Sequence, residues 1–443
     1  MSADLSTEVM NAPRWDRQVR DWSGIGFAPV IVGGDAGAYG AARAFHEAYG
    51  IDSIVLSKHQ MWMIQHSKII THLEIENGTV MEHVRTGLQL APIRRLREQG
   101  IKILLLGAID STVQAIIELR EAHPEDFGSD VVVPYVDRAR FDAGTVKDNF
   151  TALAERLGVD HPVTRVVDFS ADLATALPLD LRFPVWAKPA DVTAWYWTEF
   201  EGKHKVHRVE TPEELSELFS KVKAAGYRAS FVVQEEVPGD DQNMRVLTCY
   251  ADQNSRVRFA SWGETVVEDH SPAALGNPSV ILTTKNSEAV DQAQKLLSEL
   301  GWVGYANFDL KYDPRDGKTK FFELNPRLGR SSYYITGAGN NPVEYYVRDW
   351  IHGELSGDAE TSRVEDQEET VYTVLPGWLA SRYVSDPERR RRVRAIMRAG
   401  GTRNPFFYSK DLAPRRLVLL LAAQASTVRK FLRFYPPSRV TGE

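Results

Sequence analysis

A single cysteine, Cys249, stands in a chain of 443 residues, so no internal disulfide can form and the stapled scaffolds of small secreted proteins are excluded. An isolated cysteine of this kind reads as a buried apolar filler rather than a nucleophile. Long apolar runs are scarce too. The most apolar stretch near the C-terminus, Leu417 to Ala423, follows Arg415 and Arg416 and is far shorter than the roughly 20 residues that a membrane span needs. The first ten residues carry no apolar core of the secretory type, so a cytoplasmic location is expected. A basic surplus is also missing: 53 basic residues face 60 acidic ones, a formal charge of −7, and no RNA-reading motif occurs. Nucleic-acid binding is therefore not expected. With 43% hydrophobic positions the chain is globular, and its length suggests about three domains at roughly 150 residues each.

The pattern along the chain begins with Phe27 to Val32, a buried strand entering the glycine turn Gly33 to Gly37. A helix from Ala38 to Tyr49 and a strand Ser53 to Leu56 complete a βαβ unit. A second unit runs through the strand Ile101 to Gly107, the helix Ser111 to Ala122 and the strand Val131 to Tyr135. Residues 1–137 thus predict an open, mostly parallel sheet covered by helices. The full GxGxxG spacing of a dinucleotide site is absent, so a nicotinamide oxidoreductase is a weak rival. Next comes a helix from Lys147 to Leu157. Strands follow at Phe183 to Lys188, Lys205 to Val209 and Phe231 to Glu235, with a helix from Pro212 to Ala225 introduced by a Thr211/Glu214 capping box. Hairpin-spaced strands from Met244 to Glu323, broken by a helix from Ser287 to Leu300, lead to an acidic linker after Gly353. A helical tail with the cluster Arg389, Arg390, Arg391, Arg392 and Arg394 ends the chain. The expected domains are 1–137, 138–355 with 183–238 as a small lid, and 356–443.

The richest passage is Tyr305 to Tyr312, the turn Asp313-Pro-Arg-Asp-Gly317, and Lys320 to Arg327. Two alternating runs joined by Asp-Pro and Asp-Gly predict a hairpin. If its centre lies in that turn, Asp309 faces Glu323, and Asn325 shares the face of Glu323 because strand side chains alternate. Two carboxylates and an amide oxygen are the hard ligands that Mg²⁺ takes while bridging phosphates. Lys188 ends an apolar strand, where a cation is costly unless an anion meets it. A loop from Asp191 to Gly202 then leads to Lys203, His204 and Lys205. The segment from Gln234 to Asp241 reads as a strand running into an acidic hinge.

In this order the pieces resemble the ATP-grasp superfamily over residues 27–355: a strand lysine, a lysine after a mobile loop, an acidic hinge, then Asp…Glu-x-Asn-x-Arg. The segments Phe322 to Tyr334 and Phe200 to Val206 look like the carboxylate–amine ligase branch that includes the D-aspartate ligases of peptidoglycan cross-bridge synthesis. The fold implied is an ATP-grasp fold, α/β and α+β, preceded by an open parallel-sheet βαβ domain and followed by a helical C-terminal tail. The resemblance implies that Lys188 and one of Lys203 or Lys205 bind ATP phosphates, that Gln234, Glu235 and Val237 border adenine, and that Asp241 holds ribose. It further implies Asp309, Glu323 and Asn325 as Mg²⁺ ligands and Arg327 as the stabiliser of the transferred phosphoryl group. The loop after Lys188 departs from the family pattern, carrying Trp195, Tyr196 and Trp197 in place of glycines.

The implied activity is amide formation through an acyl phosphate, adding an amino acid such as D-aspartate to a peptidoglycan precursor peptide. Arg245, Asp269, His270, Arg330, Ser331 and Ser332 are expected to hold the acid, between the glycine turn and the Arg327 to Tyr334 loop. The tail arginines are expected to dock an anionic nucleotide-linked muropeptide or to touch the cytoplasmic membrane surface weakly. Two alternatives stand beside this reading: a ligase that joins free amino acids into a small peptide-like metabolite, and a non-catalytic nucleotide-binding protein. The sequence names neither the acid, its chirality and the amine, nor the oligomeric state.

Overall fold

The computed structural model describes residues 22–75, 78–171, 177–272, 274–355, 357 and 367–441. The N-terminal decapeptide and most of the acidic linker lie outside the described residues. The chain forms two compact units. One runs to Thr145, resumes over Asp241–Asp309 and continues from Leu324; the other joins Val146–Asp240 to Leu310–Glu323.

In the first unit, strands β1 (Phe27–Val32), β2 (Ser53–Ser57), β3 (Ile70–Glu74), β4 (Lys102–Gly107) and β5 (Val131–Val132) form one sheet in the order β3-β2-β1-β4-β5. Every pairing in it is parallel. All six residues of β1 are buried, as expected of a parallel strand covered on both faces. β3 was not foreseen: its Ile70-Thr-His-Leu-Glu74 sequence has too few apolar residues to stand out, and pairing with β2 makes it a strand. Helix α1 (Ala36–Tyr49) starts two residues earlier than its sequence suggested, because Asp35 caps it, with Oδ1 accepting from the Ala38 amide at 3.1 Å. The strand order reverses direction at β1 and β4, so their carboxyl ends frame the crevice where open α/β sheets bind ligands. Gly33 is required at this edge. Its φ is +122°, and a Cβ there would lie 2.8 Å from the Cβ of Ala108. Helix α2 (Asp110–Ala122) leaves the same edge after β4.

The second unit holds helix α3 (Lys147–Leu157) and an antiparallel sheet of β6 (Thr164–Asp168), β7 (Val185–Pro189), β8 (His207–Val209) and β9 (Ser230–Glu235), ordered β6-β9-β7-β8. Helix α4 (Pro212–Ala224) covers it, burying Leu215, Phe219 and Val222 against Val185, Phe231 and Val233. Only half of the expected capping box forms. Thr211 Oγ1 accepts from the Glu214 amide at 3.3 Å, but the Glu214 carboxylate takes the Glu210 amide at 2.8 Å instead of that of Thr211. The piece read as a loop after Lys188 contains a short helix, Val192–Trp197. Asp191 caps it, and Trp195 is buried edge-on against Phe200, Tyr227 and Phe231, so an aromatic anchor replaces glycine flexibility.

The third sheet comprises β10 (Met244–Ala251), β11 (Val257–Asp269), β12 (Asn277–Thr284), β13 (Gly304–Asp313), β14 (Lys318–Asn325), β15 (Val371–Thr373) and β16 (Thr402–Arg403), in the order β14-β13-β10-β11-β12-β15-β16. Helix α5 (Ser287–Leu300) lies between β12 and β13 in the chain. The C-terminal region is helical as expected, with α6 (Pro387–Arg398) and α7 (Pro414–Phe434), yet it also supplies β15 and β16 to this sheet. Strands of two and three residues leave no periodic trace, so the sequence could not reveal them.

A buried charge cluster fastens this C-terminal region to the first sheet. Arg416 and Asp411 pair at 2.9 Å, and both side chains are fully buried. The Asp411 carboxylate also accepts from Tyr39 Oη and Ser67 Oγ, each at 2.9 Å, and from the Lys68 amide. Arg416 donates to the carbonyls of Gln65 and Met63 at 2.8 and 3.0 Å. Removing one partner strands the other charge in an apolar interior, a loss of about 3–5 kcal/mol. Asp411→Ala should therefore lower the urea midpoint steeply. The double variant Asp411→Leu/Arg416→Met should recover most of that loss; equal midpoints for Asp411→Ala and the parent chain would show that the cluster carries no weight.

Candidate functional site

In the second unit, α3 begins with Lys147, whose amine donates to Gln234 Oε1 at 3.2 Å. Gln234, on β9, is buried, and its Nε2 donates in turn to Thr164 Oγ1 on β6 at 3.0 Å. Lys188 on β7 pairs in register with Val232 of β9 and lies against Lys147. Burial and the neighbouring Lys188 ammonium push the Lys147 amine down to about 7, against a partial pull upward from Glu323 and Asp148. A cation at the first position of a helix also meets the positive end of the backbone dipole. Two amines gathered there, against both electrostatic penalties, are an arrangement that a nearby anion would relieve. Sequence reasoning singled out Lys188 and did not name its neighbour Lys147. The available signal was a lysine opening a helix that has no side-chain cap.

Around this pair, Glu235 is tied by its backbone to the Val163 carbonyl at 2.9 Å, and its carboxylate accepts from the Arg182 amide at 2.7 Å. Val237 is buried. Lys203 is held by Glu199 at 3.1 Å and by the Tyr196 carbonyl at 3.2 Å, with its amine 5.8 Å from the centre of the Trp195 ring. Lys205 is exposed. The acidic ligand candidate of this unit, Glu323, is exposed on β14 and precedes Asn325 by two residues, hence on the same strand face.

In the first unit, Asn325 Nδ2 donates to Asp309 Oδ2 at 3.1 Å and to the Asn307 carbonyl at 3.2 Å. β13 and β14 are neighbours in the sheet, as the hairpin reading expected. Arg327 turns back over Asn325, with Nη2 3.4 Å from Asn325 Oδ1, and is gripped by Asp110 in the first turn of α2. Its Nε lies 3.1 Å and its Nη2 3.2 Å from the two Asp110 oxygens. Asp110 was not foreseen. It orients the guanidinium from the carboxyl edge of the parallel sheet. Within this unit Asp309 offers one carboxylate and Asn325 one amide oxygen, the kind of hard oxygen donors that a divalent cation takes.

The other expected substrate residues are not gathered at one point within this unit. Asp269, Arg330 and Ser331 line one cavity of about 600 Å³, together with Ala36, Met61, Trp62, Phe406 and Leu420. Ser332 is buried near Gly40, whose Cβ would lie 3.5 Å from its hydroxyl. The glycine turn and the Arg330 loop pack directly together, for a Cβ on Gly37 would sit 3.6 Å from Arg330 Cα. The open volume therefore lies beside that contact instead of between the two segments. Arg245 is spent on the Gln242 and Met244 carbonyls at 2.6 and 2.8 Å. His270 bonds Asp241 Oδ2 at 2.7 Å and stacks on Tyr435 with ring centres 3.7 Å apart. Asp241, expected at ribose, also accepts from the Glu268 amide at 2.9 Å. Part of the arginine cluster is used inside the fold: Arg389 pairs with Glu264 at 2.8 Å, and Arg392 pairs with Glu369.

No family model matches the chain. Among curated proteins, D-aspartate ligase of Enterococcus faecium is 29% identical over 415 residues, covering 92% of this chain and 97% of that protein. Among solved structures, the biotin carboxylase domain of 2-oxoglutarate carboxylase from Hydrogenobacter thermophilus, in complex with MgADP, superposes with a TM-score of 0.54 at 13% identity, over 78% of this chain and 74% of its own. N5-carboxyaminoimidazole synthetase from Staphylococcus aureus, complexed with ADP, gives 0.52 at 14% identity, over 78% and 81%. By sequence along nearly its whole length and by its architecture, the chain is a homologue of D-aspartate ligase built on the ATP-grasp fold.

Proposed function

We propose that this chain is an ATP- and Mg²⁺-dependent carboxylate–amine ligase that adds an amino acid, D-aspartate being the first candidate, to the amine of a peptidoglycan precursor peptide in the cytoplasm. The observation that carries the reading is the paired amines of Lys147 and Lys188 beside buried Gln234, a polyanion receptor in a chain that matches a D-aspartate ligase almost end to end.

A carboxylate resists attack by an amine because it is negatively charged and has no good leaving group. In the proposed reaction its oxygen attacks the γ-phosphorus of ATP, ADP departs, and the carbon gains a phosphate leaving group. The amine nitrogen then attacks that carbon. Phosphate leaves with the C–O electron pair, and the surplus proton passes from nitrogen to solvent. Lys147, Lys188 and one of Lys203 or Lys205 hold the phosphates, Gln234, Glu235 and Val237 border adenine, and Asp241 serves the ribose. Asp309, Glu323 and Asn325 would hold Mg²⁺, which when bound would supply neutralising positive charge to the phosphates. Arg327, steadied by Asp110, faces the charge that develops on the transferred phosphoryl group. No covalent protein nucleophile is required, in keeping with a buried Cys249 whose thiol is pushed up by desolvation.

Residues 1–137 and 138–355 share the substrate and nucleotide work in this scheme, with 183–238 as the lid, and 356–443 adds a wall to the substrate cavity. At about 600 Å³, that cavity falls in the range that takes ligands larger than one amino acid. Its mixture of Met61, Trp62, Phe406 and Leu420 with Asp269 and Arg330 suits an acceptor that has an apolar body and charged ends. This favours the peptide acceptor over free amino acids.

An ADP-release assay over D- and L-amino acids, with muropeptide precursors or free amines as acceptors, tests the reading. The expected result is a D-aspartate signal that requires the precursor; a signal from free amino acids alone would move the chain to the dipeptide-forming alternative. Lys188→Ala and Glu323→Ala should each lower the ADP rate at least a hundredfold, about 3 kcal/mol of transition-state stabilisation, while circular dichroism stays unchanged. Retained turnover in both would remove the site.

The Lys147 amine adds a pH signature. Its proton is largely lost above pH 7 in the free protein and is restored when a polyphosphate supplies negative charge. At pH 8, ATP binding should therefore take up roughly one proton, visible by calorimetry in buffers of different ionisation enthalpy, and affinity should weaken as pH rises from 7 to 9. Lys147→Met should abolish the uptake. Buffer-independent heats in the parent chain would count against phosphate contact at this lysine.

A further inference from the structure

Helix α7 presents two chemically different sides. Its 21 residues include five cations, Arg415, Arg416, Arg429, Lys430 and Arg433, and no acidic residue, in a chain whose formal charge is −7. Arg416, Leu420 and Phe431 are buried on the inner side. At 100° per residue, Val418, Leu421, Ala425, Arg429 and Leu432 fall within an arc of about 80° on the opposite side. They are exposed: Val418 by 69%, Leu421 by 54% and Leu432 by 46%. Arg415 and Arg433 lie about 40° beyond one edge of this arc and are exposed as well. The outward face thus mixes aliphatic and basic side chains along its length, and the helix itself carries no carboxylate.

We propose that this face of α7 lies on an anionic lipid bilayer surface, its aliphatic side chains entering the headgroup–acyl boundary and its arginines meeting lipid phosphates. Charge decides the occupant. A second copy docked through the same face would bring Arg415, Arg429 and Arg433 against their own like with no counter-charge on the helix. Anionic headgroups neutralise all three and leave the aliphatic positions for the acyl region. No described helix is long and apolar enough to cross a membrane, so the contact is peripheral. The site differs from the one the sequence suggested, because Arg389 and Arg392 of α6 are paired within the fold. The inference stands whether or not the ligase reading does, since it invokes no nucleotide or substrate residue.

The full chain should co-sediment with vesicles of phosphatidylcholine mixed with phosphatidylglycerol at least about tenfold better than with phosphatidylcholine alone, and raised salt should weaken the binding. Val418→Glu/Leu421→Glu should abolish sedimentation with an unchanged thermal midpoint. Arg429→Gln/Arg433→Gln, a milder change that spares the apolar positions, should reduce binding to the level seen with neutral vesicles. The proposal fails if the parent chain ignores anionic vesicles or if the glutamate pair binds as well as the parent. It also fails if light scattering shows a dimer that the glutamate pair dissolves, because a second copy then covers the face.

Discussion

Two half-buried amines held side by side are the constraint on which the nucleotide-binding reading depends. Like charges in contact at a partly buried site repel by about 4 kcal/mol, and Lys147 meets the positive end of its own helix in addition. A fold tolerates this only if part of the charge is given up, which the lowered Lys147 proton affinity expresses, or if an anion arrives. The surroundings then follow as supports. Gln234 is buried because its oxygen receives Lys147 and its nitrogen is fixed by Thr164, so the lysine is aimed by a strand-borne amide rather than by a mobile carboxylate that would cancel its charge. A phosphate can take over that neutralising role, and a permanent ion pair could not have left it open.

Arg327 illustrates the opposite arrangement. Its charge is compensated in advance by Asp110, yet the contacts are at the long end of hydrogen-bond range, and its Nε is buried without a well-aligned acceptor. The guanidinium is therefore oriented without being saturated. A planar fork steadied on one side keeps donors for a phosphoryl oxygen on the other. Asp110 comes from the edge of the parallel sheet, so in the proposed scheme a domain without a dinucleotide fingerprint would contribute orientation of Arg327 instead of a cofactor cradle.

What the sequence disclosed depended on the range over which each signal acts. The hairpin around Asp313 to Gly317 was legible because the alternation of strand side chains and the turn residues are local, and its two strands are neighbours in the sheet. Lys188 was legible because a cation at the end of Val185-Trp-Ala stands out against its neighbours. Lys147 was not, because its partner is 41 positions away in sequence and a lysine at a helix start looks solvated until the fold brings Lys188 to it. The Trp195 segment misled in the other direction. Lacking glycine, it could have been any loop, and only long-range packing on Tyr227 and Phe231 makes it helical. Asp241 and His270 were assigned to different ligands, whereas a 2.7 Å contact joins them, a relation that no spacing rule encodes.

The C-terminal region shows how one helix can serve several surfaces because its period separates them. The buried Arg416 and Asp411 pair fixes the rotation of α7 about its axis, since turning the helix would pull a desolvated guanidinium from the Gln65 and Met63 carbonyls. With that rotation fixed, Leu420, Ala423, Thr427 and Lys430 must face the cavity, and Val418 and Leu421 must face away from the inner side. The cluster is thus more than a clamp on the chain end. A well-packed apolar pair could hold the helix with comparable stability, but it would tolerate small rotations that hydrogen-bonded charges do not. Setting the register of α7 is what gives the cavity a defined wall and leaves an acid-free, partly aliphatic face turned outward.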